Sequence, residues 1–168
     1  YLKSQAGTQR CKLDLISLLN GRRFPTRTMD RAIKEWGAKA AERIRDDPYI
    51  LMHLPGIGFL GADKLYCDLS RDTSKTPAEH IENLAKIHRQ GMCAAYAVQN
   101  LSRSTGSTWV PVGAAKSAVV TTIGGTTAKP DEAIQWAVME GRLTVRDNFV
   151  AVTRMALHEL EIAEFICS

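Results

Sequence analysis

Residues 54–65 read Leu54-Pro55-Gly56-Ile57-Gly58-Phe59-Leu60-Gly61-Ala62-Asp63-Lys64-Leu65, LPGIGFLGADKL, and two incompatible folds compete for them. As GxGxxG they would form the first turn of a dinucleotide-binding βαβ unit. Such a unit needs a strand running straight into the first glycine and a second strand ending in an acidic residue. Residues 49–54 could be the first strand, but Pro55 interrupts its entry, a polar stretch follows Leu69, and no alternating βαβ pattern appears elsewhere. As hydrophobic-Pro-Gly-hydrophobic-Gly followed by a helix, the same residues make a hairpin between two helices. Gly56 and Gly58 then turn the chain tightly, and Ile57 plugs the space between the helices. Ala62 keeps the helix contact close, while Leu51, Leu54, Leu65 and Leu69 supply core. The amides at the start of the second helix, near Gly56, Gly58 and Phe59, point outward and form an anion site reinforced by the helix dipole. Lys64, one turn in, reaches a neighbouring phosphate. Such contacts hold a nucleic-acid backbone without reading bases; a purely structural hairpin would use the same glycines for packing alone.

An internal repeat with an offset of 21 residues surrounds this stretch. Ile33, Trp36, Gly37, Ala41, Arg43 and Ile44 fall opposite Leu54, Ile57, Gly58, Ala62, Lys64 and Leu65. Two such hairpins pack into one unit because each alone buries too little. The first departs from the second in one telling way: Glu35 stands where the second has Gly56, and Trp36 replaces Ile57. A carboxylate there opposes a phosphate, so the first hairpin reads as structural, with Arg31, Lys34, Lys39 and Arg43 supplying diffuse attraction.

Away from the hairpins, Leu13, Ile16 and Leu19, with Leu15 and Leu18, give a helical stripe ended by Asn20-Gly21. RRFPTRT is a basic connector. Short helices are expected at 28–36 and 38–46, another opening at Asp47-Pro48, and one from Gly58 to about Leu69. SRDTSKTPAE reads as a loop capping a long helix over 77–101, and residues 102–107 as a second loop. A helix over 112–120 and a turn-rich linker, TTIGGTTAK, come next. Pro130, followed by Asp131 and Glu132, opens a helix through Met139, which Gly141 ends. LTV-RDN-FVAV then predicts a small β-hairpin turning at Asp147-Asn148, and a broadly apolar helix begins at Arg154. The expected fold is mainly α: a basic tandem helix-hairpin-helix unit over residues 1–75, then a helical, winged-helix-like segment with one β-hairpin over 76–168.

Composition narrows the function. The net charge of +4 is uneven, with 14 Lys/Arg against 9 Asp/Glu in residues 1–75 and 8 against 9 in residues 76–168. The basic half contains LPGIG, which suits a polyanion partner. No apolar run approaches a membrane span of roughly 18 residues. Cys11, Cys67, Cys93 and Cys167 form no CxxC pair; the first three read as buried free thiols in a reducing cytoplasm. His53, His80, His88 and His158 show no zinc spacing. Gly113-Ala114-Ala115-Lys116-Ser117 echoes the end of a P-loop, but Ala115 stands where glycine must allow close approach to phosphate. The sequence therefore holds no Walker A motif and no catalytic constellation. Starting at Tyr1 and stopping inside the apolar run EFICS, it reads as a fragment of a longer polypeptide.

The stretch DDPYILMHLPGIGFLGADKL resembles the NPY-x-L…GIGF-x-x-AD-K signature of the helix-hairpin-helix region that precedes the motor in RecD-like DNA helicases, relatives of the exodeoxyribonuclease V alpha subunit and of conjugative relaxase-helicases. Looser similarity runs upstream through WGAKAAERI and downstream through GSTWVPV and the EGRLTV…LHELEIAEFI ending. The resemblance implies a DNA-handling accessory domain, with ATP and Mg²⁺ used only by a motor beyond Ser168. It makes Gly56, Ile57, Gly58, Phe59 and Lys64 the phosphate-contact candidates, and single-stranded or junction DNA and the helicase's own motor or a partner subunit the expected partners. Leu54-Pro55 and Leu60-Gly61 depart from the usual helicase form, and the latter replaces a common Lys-Thr, removing one cation. Two alternatives stay open. The hairpins could pack against the motor or another subunit without touching DNA, with Trp109, Val110 and the terminal helix as contacts. A base-excision glycosylase shares LPGxG, but Arg71-Asp72-Thr73-Ser74 lies too close to the hairpin to supply its catalytic aspartate.

Overall fold

The computed structural model describes residues 2–168, and the chain divides into two compact units, Tyr1–Lys75 and Thr76–Ser168. In the first, α1 (Leu2–Leu19) packs against α2 (Thr28–Trp36) and α3 (Ala40–Asp46), which are joined by a 3-10 turn over Gly37–Lys39. The buried face of α1 is Cys11, Leu15, Leu18 and Leu19, whereas Leu13 and Ile16, expected on the apolar stripe, are exposed. A 3-10 helix, Pro48–His53, leads through the glycine turn into α4 (Phe59–Thr73). Asp47 accepts a hydrogen bond from the Tyr49 amide at 3.1 Å and Pro48 takes the first position, so this short helix starts on a side-chain cap.

The repeat is visible in the packing. Ala41, Ile44, Leu54, Ile57 and Leu65 are buried in one core, with Ile33 and Trp36 half-buried against it; Ala62 is fully buried as well, while Arg43 and Lys64 both face solvent. The two turns nevertheless differ. Gly37 has φ +64, whereas its counterpart Gly58 is extended at φ −103, and the positive φ of the second turn lies at Gly56, +82. Glu35 stands at that point in the first hairpin, and there the chain is still within α2.

The second unit begins with α5 (Pro77–Leu84) and α6 (Ile87–Thr105). The single long helix expected over 77–101 is thus two, broken at Ala85-Lys86, where the buried Arg89 guanidinium donates to the Leu84 carbonyl at 3.0 Å and closes the end of α5. Helices also persist into stretches expected to be loops. The Thr73 and Ser74 hydroxyls fold back onto the Leu69 and Ser70 carbonyls at the end of α4, and those of Ser104 and Thr105 onto Leu101 at the end of α6. Polar residues that look like loop formers thereby satisfy the last turn's carbonyls.

After α6 come β1 (Val110–Pro111), α7 (Val112–Ile123), α8 (Pro130–Met139), β2 (Leu143–Arg146), β3 (Phe149–Val152) and α9 (Thr153–Cys167). The sheet is antiparallel in the order β1-β3-β2, with Leu143 opposite Val152 and Arg146 opposite Phe149 across the Asp147-Asn148 turn. Three helices with three strands in this order make a winged helix. Its core is pinned at two places. Gln90, fully buried, donates to the Thr127 carbonyl at 2.7 Å and accepts from the Lys129 amide at 2.9 Å, fixing the segment before α8. Gly91 lets α6 and α8 meet closely, because a Cβ there would lie 1.9 Å from the Trp136 ring.

Candidate nucleic-acid interface

The glycine turn is held from below by an aromatic and carboxylate latch. Tyr49 stacks on Phe59 with ring centroids 5.9 Å apart and on Tyr66 at 5.5 Å, and its hydroxyl donates to Asp63 Oδ1 at 2.6 Å. The Tyr and Asp of the DPY…AD pattern thus bind each other across the hairpin. These residues escaped the sequence reading; the signal was the presence of both polar groups at inward-facing positions of two helices that must touch. Phe59, expected near the phosphate, places its ring in this core. Ile57 is buried as a plug, and its amide closes the turn by donating to the Leu54 carbonyl at 3.4 Å, so it offers a side chain to the core rather than an outward N–H.

What remains is the open mouth of α4. Gly58 is its N-cap and has no side chain to cap with, and the first turn contains no acidic residue. Gly56, Gly58 and Leu60 are exposed, and among the described residues the amides of Gly56, Gly58, Leu60 and Gly61 meet no protein acceptor; the ladder begins with Ala62 donating to Gly58 at 3.3 Å. Two other helix starts are furnished differently: Thr76 caps α5 through the Glu79 amide at 3.1 Å, and α8 carries Asp131 and Glu132 in its first turn, whereas α6, α7 and α9 start, like α4, without a side-chain cap or a first-turn acid. A helix N-terminus with several unsatisfied donors and no anion of its own attracts an external one.

The same unit carries several cations, of which Arg31 touches the hairpin. Lys64 is exposed and makes no ion pair among the described residues. Arg31 is half-buried and donates from Nη1 to the Pro55 carbonyl at 3.4 Å, tying α2 to the hairpin. Lys34, Lys39 and Arg43 are exposed on α2, the 3-10 turn and α3. The connector, read earlier only as basic, packs on the hairpin itself: a Cβ on Gly56 would lie 3.2 Å from Pro25, and one on Gly61 3.5 Å from the Phe24 ring. It carries Arg22, paired with Asp68, and the exposed Arg23 and Arg27.

Unit two presents the opposite character. The outer face of α8 holds Asp131, Glu132, Gln135 and Met139, and its nearest lysines are engaged, Lys116 with Asp131 at 2.5 Å and Lys129 with Glu132 at 3.9 Å. On α9, Leu157, Leu160, Ile162, Phe165 and Ile166 are exposed, the last two at 82% and 75%. Cys11 and Cys93 are buried, whereas Cys67, expected with them, is only half-buried; all four cysteines are free thiols. No helix of the described residues is long and apolar enough to cross a membrane.

Comparison with known proteins adds two findings. Residues 8–109 match the family described as "ATP-dependent RecD2 DNA helicase HHH domain". An ATP-dependent RecD2 DNA helicase of Deinococcus radiodurans is 31% identical over 145 residues, covering 86% of this chain and 18% of the relative. The chain therefore spans under a fifth of that relative's length.

Proposed function

Because the chain belongs to the HHH-domain family of ATP-dependent RecD2 DNA helicases, we propose that it is the non-catalytic, DNA-binding accessory region of such a helicase, gripping one strand's backbone without reading its bases. The observation that carries this reading is the uncapped, acid-free start of α4, with Lys64 exposed further along the same helix and in no ion pair among the described residues. Backbone N–H groups from Gly56, Gly58, Leu60 and Gly61 hold one phosphate, and the Lys64 ammonium holds a neighbour. Arg31 steadies the turn from behind, while Lys34, Lys39 and Arg43 raise the local concentration of polyanion. ATP and Mg²⁺ would act in a motor elsewhere in the polypeptide, and free thiols suit a reducing, cytoplasmic setting.

A second role is favoured for the other unit. The outer face of α8 is charge-balanced, with Asp131 and Glu132 each paired to a lysine, and offers a phosphate backbone no net attraction. The exposed apolar row of α9 suits contact with protein, so the winged helix would dock on the motor or a partner subunit. The test is binding of short single strands and duplexes to the 168-residue chain at several salt concentrations. Dissociation constants around 10⁻⁴ to 10⁻⁶ M that weaken steeply with salt are expected. Absence of binding at low salt would leave protein contact as the function of both units.

A further inference from the structure

We propose that the connector between α1 and α2 is the second half of the strand-binding surface, with Arg23 and Arg27 taking phosphates next to the one held by the hairpin; this rests on the strand-binding reading above. Three contacts place the connector. The Arg22 guanidinium pairs with Asp68 and donates from Nε to the Leu18 carbonyl at 2.9 Å, joining the end of α1 to α4. The Phe24 ring lies 3.5 Å from where a Cβ on Gly61 would stand, and Pro25 lies 3.2 Å from one on Gly56. Gly61, Lys64 and Asp68 recur at i, i+3 and i+7, which is one face of α4. The connector therefore runs along that face against the helix direction, from Asp68 past Gly61 to the turn at Gly56. Arg23, between the first two contacts, is level with Lys64. Arg27 stands at the start of α2, two residues beyond Pro25. Consecutive Cα atoms are ~3.8 Å apart, so both arginines start within about 8 Å of residues that touch the hairpin or α4.

The fold itself makes no use of these two side chains. Both are exposed, and neither guanidinium has a hydrogen-bond or ion-pair partner among the described residues. Their neighbours are engaged, Arg22 with Asp68 and Arg31 with the Pro55 carbonyl. The acids of this region do not cancel them: Asp68 is neutralised by Arg22, Asp63 accepts from Tyr49, and the exposed Asp30 pairs with neither arginine. Arg23 also holds φ +57, a conformation glycine adopts freely and other residues at a cost. The Arg22–Asp68 pair on one side and the Phe24–Gly61 contact on the other impose it, and backbone strain of this sort collects at ligand sites. A free guanidinium meets a phosphate through two parallel N–H donors. With Lys64 and the bare start of α4, the two arginines offer a phosphate chain several points of attachment on one unit.

The test measures, by fluorescence anisotropy, binding of a labelled thymidine oligomer to the 168-residue chain across a range of salt concentrations. Arg23→Gln and Arg27→Gln should each make the logarithmic salt dependence shallower by about 0.7, and together by about 1.4, the share of one and two neutralised phosphates on a single strand. Their melting temperatures should not change, and Arg23→Lys and Arg27→Lys, which keep the charge, should keep the slope. Arg23→Gly accepts φ +57 without strain and stands in if Arg23→Gln melts lower. Lys12→Gln removes one exposed charge of the same unit from α1, outside hairpin and connector, and should leave the slope as it is. A slope unchanged in both glutamine variants, with binding still lost in Gly58→Asp, would overturn the connector's role and leave the hairpin grip standing. A loss in Lys12→Gln as large as in the arginine variants would overturn it too, since net charge alone would then be at work. Failure of the unaltered chain to bind the oligomer at low salt would overturn the grip, and the connector's part with it.

Discussion

Replacing Gly58 with Asp separates the DNA role of the hairpin from its structural one, because the two respond in opposite directions. Gly58 is the N-cap of α4 at φ −103 and ψ −178, extended backbone that any residue adopts, and a Cβ there meets nothing within 4 Å. The aspartate therefore fits, and its carboxylate can accept from the amide of Leu60 or Gly61, the positions a capping side chain serves. Aspartate in place of glycine gains a few tenths of a kcal/mol as a cap. Restriction of the unfolded chain adds about 0.4–1 kcal/mol, and interaction with the helix dipole about 0.3–1. A net gain near 1 kcal/mol should raise the melting temperature of this unit by roughly 5 °C.

DNA binding moves the other way. The carboxylate occupies the donors that would hold the phosphate and sets a like charge about 4 Å from it. The repulsion is about 1 kcal/mol at the dielectric of water and ~4 at an effective value of 20, which is roughly a fivefold to thousandfold loss before the forfeited hydrogen bonds are counted. From a starting dissociation constant of about 10⁻⁵ M, binding leaves the range that anisotropy detects. Gly58→Asn, which satisfies the same amides without charge, should fall between. A Gly58→Asp protein that melts higher yet binds DNA with unchanged affinity and salt dependence would refute the hairpin as the site. Because the variant is expected to be more stable, loss of binding could not be ascribed to unfolding.

Three further outcomes are expected. Lys64→Ala should leave the melting temperature unchanged and make the logarithmic salt dependence of single-strand binding shallower by about 0.7, the share of one neutralised phosphate; an unaltered slope would remove Lys64 from the interface. Tyr49→Phe keeps the stack on Phe59 but removes the 2.6 Å hydrogen bond to Asp63, and should cost about 1.5–3 kcal/mol in urea unfolding, since the acceptor is a carboxylate. Gly91→Ala forces a methyl within 1.9 Å of the Trp136 ring and should destabilise the second unit by about 3 kcal/mol or more, seen as loss of the Trp136 near-ultraviolet signal.

The helical hairpins were readable because their code is local: two glycines, an apolar plug and a small residue at fixed spacing leave few other folds. The bend at Gly56 follows from its neighbours alone. The Tyr49–Asp63 latch is not local, since 14 residues separate its ends, and a tyrosine and an aspartate in helices look like ordinary amphipathic positions until the helices are placed. The docking of Phe24 and Pro25 on Gly56 and Gly61 joins segments about thirty residues apart, so the connector showed its charge but not its position. Helix ends were missed for a different reason: Thr73, Ser74, Ser104 and Thr105 have loop-forming composition, yet their hydroxyls bond to the preceding turn. β1 has two residues, too few to alternate, and exists only because β3 offers Val150 and Phe149 as partners. The equivalence of the two repeats also reads further in sequence than in backbone, for Gly37 and Gly58 align but adopt different φ.

A weak, base-indifferent grip is what an accessory region in a translocating enzyme can use. At a dissociation constant of about 10⁻⁵ M and an electrostatically steered association rate of about 10⁸ M⁻¹s⁻¹, the strand is released on the order of 10³ times per second. In free solution such binding is marginal. Joined to a motor already on the strand, the same site experiences an effective concentration in the millimolar range, about a hundredfold above that constant, and stays occupied while exchanging phosphates quickly. Four backbone amides and one lysine, as proposed for this hairpin, would supply contacts of this order, with no recurring need for a particular base. A nanomolar site would hold the strand against the motor; on the reading proposed above, the bare start of α4 suits the faster exchange.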